Sequence, residues 1–379
     1  MGRLSTAVII ILLLGAATDA ARSDGAFTSK RITQYSLDSW TDVRGLRHNS
    51  IIAIRRTDDG YLWLATYARL YRFDGVEFLP VPSIDAPRSL ATDSRGRLWI
   101  GTADGVHLYY KGTFERLPAD SSFRRRVIHS IIERSDGTML FGTAGGVLSY
   151  DGARVEDRSF ELDAVGRIVY CITETADGEL WLGTDRGARR VTTSFTETID
   201  TTTGSLRHSV VRSIMEDRYG YVWIGTAGGG VTRFREGHFS FFSVHDGLPS
   251  NVVRVLYEDR NGSVWIGTSG GGLSRYRNGR FETLGSADGL TTDVVWALHQ
   301  DPEGSLWIGT GGGGLNRLRD TRILTLTKRE GLGNNFLWTV FQDSRGRQWL
   351  GTNGSGVTVW DNGIARTLTV ANDPLSNIV

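Results

Sequence analysis

One short motif recurs eight times in this chain and carries its tryptophan on a nearly fixed period. The last four copies read Val222-Trp223-Ile224-Gly225-Thr226, Val264-Trp265-Ile266-Gly267-Thr268, Leu306-Trp307-Ile308-Gly309-Thr310 and Gln348-Trp349-Leu350-Gly351-Thr352, and their tryptophans lie 42 residues apart. Earlier copies sit at Trp63, Trp99, Leu140 and Trp181, with successive spacings of 36, 41 and 41 residues and then 42 to Trp223. Self-similarity at about 40–45 residues marks a radial or solenoid array of supersecondary units. In such an array the recurring residues build the scaffold, and function is sought where the repeats differ.

The unit from Asp246 to Ala287 shows what each repeat folds into. Asp246-Gly247-Leu248-Pro249-Ser250-Asn251 is turn chemistry, and Val252 to Tyr257 is a β-branched strand. Glu258-Asp259-Arg260-Asn261-Gly262 is a tight hairpin signalled by Asn-Gly, and Val264 to Thr268 is a second strand. After the Gly-rich loop Ser269-Gly270-Gly271-Gly272, strands are predicted at Leu273 to Arg277 and Arg280 to Leu284. Four antiparallel strands per repeat make one propeller blade. Helical repeats would need longer stretches of 3.6 period, and a β-helix repeats at shorter intervals, so the helix content should be close to nil.

Acidic residues recur one or three places before each hairpin glycine, at Asp59, Asp93, Asp136, Asp177, Asp217, Asp259, Asp301 and Asp343. Each can accept backbone N–H bonds in its turn, a structural role. The recurring tryptophan reads as a wedge between blades, where a large ring buries much area. Gly309-Thr310-Gly311-Gly312-Gly313-Gly314 lacks the following Lys-Ser/Thr and the helix that a phosphate-binding loop needs, and the same loop recurs in other blades.

Composition excludes other classes. A formal net charge of +1 gives no reason to expect nucleic-acid binding. A lone Cys171 excludes an internal disulfide and a multi-cysteine metal site, and it reads as packing rather than as a nucleophile. The seven histidines (His48, His107, His129, His208, His238, His245 and His299) show no metal-ligand spacing, so neither metal nor cofactor is expected. Arg3, the apolar run Ala7 to Leu14 and the small residues that follow read as a signal peptide over 1–20, cleaved after Ala17 or Ala20. An uncleaved anchor is the other reading, although the run is short for a span of about 20 residues.

The unit Asp-Gly-Leu-Pro-Ser-Asn-Val, followed by Asp-x-x-Gly-x-x-Trp-Ile-Gly-Thr-x-Gly-Gly-Gly-Leu, resembles the two-component regulator propeller repeat. Residues 40–78 resemble the first repeat of such sensors, with Asp59-Gly60-Tyr61-Leu62-Trp63 and Arg72-Phe73-Asp74-Gly75. The resemblance spans about 32–379. It implies the periplasmic sensor region of a hybrid histidine kinase or related receptor, with a membrane-linked output module and possible homodimerisation. It also implies an all-β fold: a seven-bladed ring of four-stranded antiparallel blades over 32–329, with 330–379 beginning a second propeller. A single eight-bladed ring is the alternative. Ile32 to Leu37 reads as an outer strand able to close a ring with a later blade. Asn372 to Val379 looks like the opening of a ninth repeat, so the chain reads as a C-terminally incomplete member, and any kinase activity would lie elsewhere.

The repeats are not uniform. Leu140-Phe141 replaces the Trp-Ile pair in the third, Arg186-Gly187-Ala188 replaces the triple-glycine loop in the fourth, and Tyr67-Ala68-Arg69 occupies that loop in the first. Such breaks concentrate at functional sites. Alignment of the repeats also isolates one variable position near the start of the first strand of each blade: Ile52, Arg88, His129, Tyr170, Arg212, Arg254, Trp296 and Trp338. Two residues on, the side chain is always aliphatic, from Ile54 to Val340; one residue on, it is mostly small. Arg88, His129, Tyr170, Arg212, Arg254, Trp296 and Trp338 are therefore the expected ligand-binding residues. Arginine forks suit carboxylate or sulfate, and aromatic faces suit a sugar ring, which suggests a glycan. The bland alternative is a tolerant position whose long side chains only cover the channel. The leading expectation is a non-catalytic sensor of an oligosaccharide or other small molecule. Its rivals are an exported lyase or glycosidase and a protein-interaction scaffold. A glycosidase needs paired carboxylates, whereas most acids here belong to repeat turns.

Overall fold

A computed structural model describes residues 31–369 apart from 43–44, 118–122, 124–125, 165, 321–325, 327, 329–330, 362–363. The expected signal peptide and the opening of a ninth repeat lie outside the described residues. The fold is all-β, and every sheet has four antiparallel strands. The chain divides into two compact units, 37–319 and a second that includes 320–379.

In the first unit seven sheets form a closed ring. Their inner strands are Ile51–Arg56, Pro87–Thr92, Ile128–Glu133, Val169–Glu174, Val211–Glu216, Val253–Glu258 and Val295–Gln300, here blades 1 to 7. Each inner strand contacts the next, and that of blade 7 contacts that of blade 1. Blade 6 has strands Val253–Glu258, Val264–Thr268, Leu273–Arg277 and Arg280–Leu284, within one residue of the sequence reading. Its first hairpin falls within one residue of the turn signalled by Asn-Gly. Asp259 N–H bonds to Ser263 O and Gly262 N–H to Asp259 O, so the turn spans five residues with Gly262 at φ +77°.

Blade 7 takes three strands from its own repeat, and its outermost strand is Ser36–Trp40 from the other end of the unit. This strand begins four residues later than Ile32, because Ile32–Gln34 forms a 3₁₀ turn. The residues that anchor it explain the shift. The Asp38 carboxylate accepts from Arg317 and pairs with Arg319, both at 2.9 Å. Trp40 is buried, with its ring centroid 5.5 Å from those of Trp307 and Phe73.

The recurring aspartate and tryptophan act as one device. The indole N–H donates to the carboxylate six residues earlier in the pairs Trp99–Asp93 (2.8 Å), Trp223–Asp217 (2.8 Å), Trp265–Asp259 (2.7 Å) and Trp307–Asp301 (2.8 Å). The second oxygen of Asp259 accepts the N–H groups of Asn261 and Ser263. Each carboxylate thus caps its turn and satisfies a buried ring. Blade 1 places its aspartate next to the hairpin glycine instead, and Thr57 takes over as acceptor for Trp63 at 2.8 Å. In blade 4 the corresponding Thr175 donates to Asp177, and the buried Trp181 Nε1 has no partner.

The blades are also tied laterally. The small position on the inner strand carries hydroxyls that reach the next blade: Ser89 donates to Ile128 O at 3.0 Å, while Ser130 accepts from Ile172 N–H and Ser213 from Leu256 N–H, each at 3.1 Å. The last inner-strand residue accepts a backbone N–H from the preceding blade's hairpin, as in Ser94 to Glu133, Ser135 to Glu174, Ala176 to Glu216, Arg218 to Glu258 and Arg260 to Gln300. At ring closure this clamp changes chemistry. The corresponding hairpin residue of blade 7 is Pro302, which has no N–H, and blade 1 carries Arg56 in place of the acid. Arg56 instead donates to Glu303. The glycine of the Gly-Thr pair is required by the same close approach, since a Cβ at Gly309 would lie 2.7 Å from Ile51 Cγ2 of blade 1.

In the second unit, strands Leu337–Gln342, Gln348–Thr352, Val357–Asp361 and Ile364–Leu368 form an eighth sheet. Trp349 Nε1 donates to Asp343, and that bond leads the interactions that hold the carboxyl down at about 2. Trp338, Val340 and Phe341 on its first strand are exposed, whereas Ile54, Leu256 and Leu298 at the aliphatic position within the ring are buried.

Candidate functional site

The variable position is set apart by backbone geometry. In blade 6, Val253 pairs with Thr268 and Val255 with Gly267, so Arg254 is the extra residue of a β-bulge. The same break isolates Ile52, Arg88, His129, Tyr170, Arg212 and Trp296. A bulge twists the strand and re-aims the side chain of its extra residue. Seven bulges at one level of seven inner strands therefore present seven side chains at one mouth of the ring, all half-buried.

Contacts between blades show that these side chains converge. Arg212 Cζ lies 3.9 Å from the centroid of the Tyr170 ring, and the Tyr170 and His129 rings meet edge-on at 5.5 Å. Burial pushes the His129 imidazole below its usual range, and Arg212 and Arg88 push it the same way, so it is neutral at pH 7. The Arg254 guanidinium donates to Ser269 Oγ at 2.9 Å. Burial lowers its proton affinity, with Arg212 next in effect.

Tyr67, in the loop where blade 1 departs from the glycine pattern, belongs to the same mouth. Its ring meets Trp296 edge-on at 5.4 Å, and Arg88 Cζ lies 5.2 Å from its centroid. The break in the repeat marked this loop, but no residue in it stood out as a ligand-binding candidate. Trp338 occupies the equivalent bulge of the eighth sheet, outside the seven inner strands, and is 68% exposed. The structure thus brings six of the seven expected residues together and adds Tyr67.

The mouth is rich in unanswered donors. Arg88 Nη1, Arg212 Nε and Trp296 Nε1 are buried without a hydrogen-bond partner. The acid in the corresponding loop of blade 4, Asp185, is engaged by Ile168 N–H and Arg186. Three residues beyond the bulge, burial together with Arg55 and Arg56 holds His299 down at about 4. The Cys171 thiol is pushed up to about 12 by burial, which makes it inert, in keeping with a packing role. Among the described residues no cluster of His, Cys, Asp or Glu could hold a metal ion, and no helix is long and apolar enough to cross a membrane.

The two component regulator propeller model matches residues 45–68, 82–104, 165–186, 205–228, 247–270 and 289–312. The third repeat, with Leu140-Phe141, lies outside these segments, as does the eighth. No curated protein matches the sequence. Among solved structures, the chain is similar to one described as the extracellular domain of a hybrid two component system, BT3049, from B. thetaiotaomicron. The two share 23% identity with a TM-score of 0.73, over 89% of this chain and 49% of that one. This chain thus spans about half the length of that ectodomain. It is also similar to an inactive virginiamycin B lyase from Staphylococcus aureus with quinupristin, at 16% identity and a TM-score of 0.62, over 76% of this chain and all of that one. A third similar structure is PorZ, a surface component of the type-IX secretion system of Porphyromonas gingivalis. It has 15% identity and a TM-score of 0.59, over 83% of this chain and 51% of that one. At these identities the likenesses establish the propeller fold.

Proposed function

We infer that this chain, whose repeats belong to the two component regulator propeller family, is a non-catalytic periplasmic sensor that takes an oligosaccharide at the bulge-lined mouth of its ring. The observation that carries this reading is the contrast between scaffold and mouth. Seven blades share one strand plan and one bulge position, while the single extra residue of each bulge is free to vary and supplies Arg, His, Tyr and Trp. Half-buried aromatic edges and donors are what a sugar ring and its hydroxyls need. Ligand would stabilise one arrangement of the ectodomain or of a homodimer, and a membrane-linked output module would read that arrangement.

A catalytic reading has less support. None of the seven bulge residues is a carboxylate, whereas a glycosidase works with a pair of acids. Thermal melting of the purified chain against plant, algal and host oligosaccharides tests the reading, with each hit examined for cleavage. A raised melting temperature without product is expected. Product formation would establish an enzyme instead, and a cooperative melt that no oligosaccharide shifts would point to a scaffold for another protein.

A further inference from the structure

We propose that the group recognised at this mouth is an anion, a carboxylate or sulfate held by Arg212, Arg254 and Arg88 beside the aromatic pair Trp296 and Tyr67. The proposal rests on the sensor reading and names the class of its ligand.

Many arginines elsewhere are neutralised in pairs, such as Arg190 with Glu179, Arg275 with Glu282 and Arg317 with Asp38. Among the described residues, Arg88, Arg212 and Arg254 form no ion pair. Arg88 and Arg212 lie on aromatic faces, Arg254 is tethered to a serine hydroxyl, and the imidazole between them is neutral. Three guanidiniums are thus gathered at one opening of a chain whose formal net charge is only +1. Gathering like charges without a counter-ion is costly, and a bound anion removes that cost.

The donors are also held in place, which reduces the ordering cost of binding. Arg212 rests 3.9 Å from the Tyr170 centroid, and Ser269 fixes Arg254. A Cβ at Gly311 would lie 2.7 Å from Trp296 Cζ2, so the indole packs directly on that backbone with its own N–H unpartnered. Blades 5 and 6 therefore offer a planar cationic fork, while blades 7 and 1 offer an aromatic edge and a neutral donor. A sugar bearing a uronate or sulfate carries both complements.

Isothermal titration of the full chain tests this with a hexuronate oligosaccharide, a sulfated oligosaccharide and a neutral oligosaccharide of equal length. We expect at least one anionic probe to bind about tenfold or more tightly than the neutral one, as charge-assisted hydrogen bonds predict. Whichever anionic probe binds identifies carboxylate or sulfate as the source. Arg212→Gln and Arg254→Gln should each erase most of that margin with melting temperature preserved, and Trp296→Ala should weaken neutral and anionic probes alike. Should a variant misfold, salt gives a second readout on the parent chain. Raising ionic strength from about 0.05 M to about 0.5 M should weaken the anionic probe and leave the neutral one unchanged. Equal binding of both probes, indifferent to salt and to the arginines, would overturn the anion assignment and leave the sensor reading standing. If neither probe class binds, both fail.

Discussion

An Asp259→Ala chain should unfold with about 3 kcal/mol less free energy than the parent, whereas Asp177→Ala should lose less than about 1 kcal/mol. The two aspartates occupy corresponding turns, Asp259 three places and Asp177 one place before the hairpin glycine, and either can accept backbone N–H bonds there. The structure separates them. Asp259 accepts the buried Trp265 indole at 2.7 Å and two backbone N–H groups. Removing it leaves a desolvated indole donor without a partner and uncaps the turn. Asp177 is exposed and receives the Thr175 hydroxyl, and Trp181 makes no use of it. Trp265→Ala marks the upper end of the scale, at about 3–5 kcal/mol for deleting a buried ring. Urea denaturation of the three variants checks the order. Equal losses for the two aspartates would show that the clamp contributes little and that any acid in this turn suffices.

Stability should also fall as pH drops from about 6.5 toward 4, a window that opens well above the range in which carboxylates protonate. His299 is held down at about 4 by burial first and then by Arg55 and Arg56. The unfolded imidazole titrates near 6.5. Between these values the unfolded chain binds the proton and the folded chain does not, so acid favours unfolding, by up to about 3 kcal/mol from this one residue. His107 and His129 are lowered by burial as well and add in the same direction. Toward pH 4 the unfolded carboxyls also begin to bind protons, so the stability contributed by the depressed Asp93 and Asp343 carboxyls starts to be lost in the lower part of the same window. Melting temperature measured every half unit of pH should slope upward from pH 4 to 6.5, and His299→Gln should flatten part of that slope. A flat profile for the parent in this window would contradict the burial assigned to His299.

The repeat period, the four strands per blade and the near absence of helix were legible because they follow from periodic turn residues and alternating β-branched segments. The variable position was legible for a related reason: its neighbours are fixed by packing and it is not. Three features were not. The Asp–Trp bond spans six residues and a turn, so the aspartate read only as a turn acceptor. The bulge inserts a residue without a signature of its own, so position 254 stood out as variable but not as re-aimed. Ile32 to Leu37 reads as the closing strand, whereas Asp38 and Trp40 fix the strand through partners that include Arg317 and Trp307. Such long-range partners are invisible in a local window. Trp338 fits the alignment yet belongs to the eighth sheet, in the second unit, because repeats alike in sequence need not belong to one unit.

Hydrogen exchange of the chain with and without a saturating anionic oligosaccharide tests the central claim most directly. A bulge leaves its extra residue unpaired in the ladder, so amides there exchange readily until a ligand shields them. The account predicts protection at the starts of the inner strands, around Arg88, His129, Tyr170, Arg212, Arg254 and Trp296, and in the Tyr67 loop, with none around Trp338. Protection confined to outer strands or to the eighth sheet would contradict it and place the ligand elsewhere.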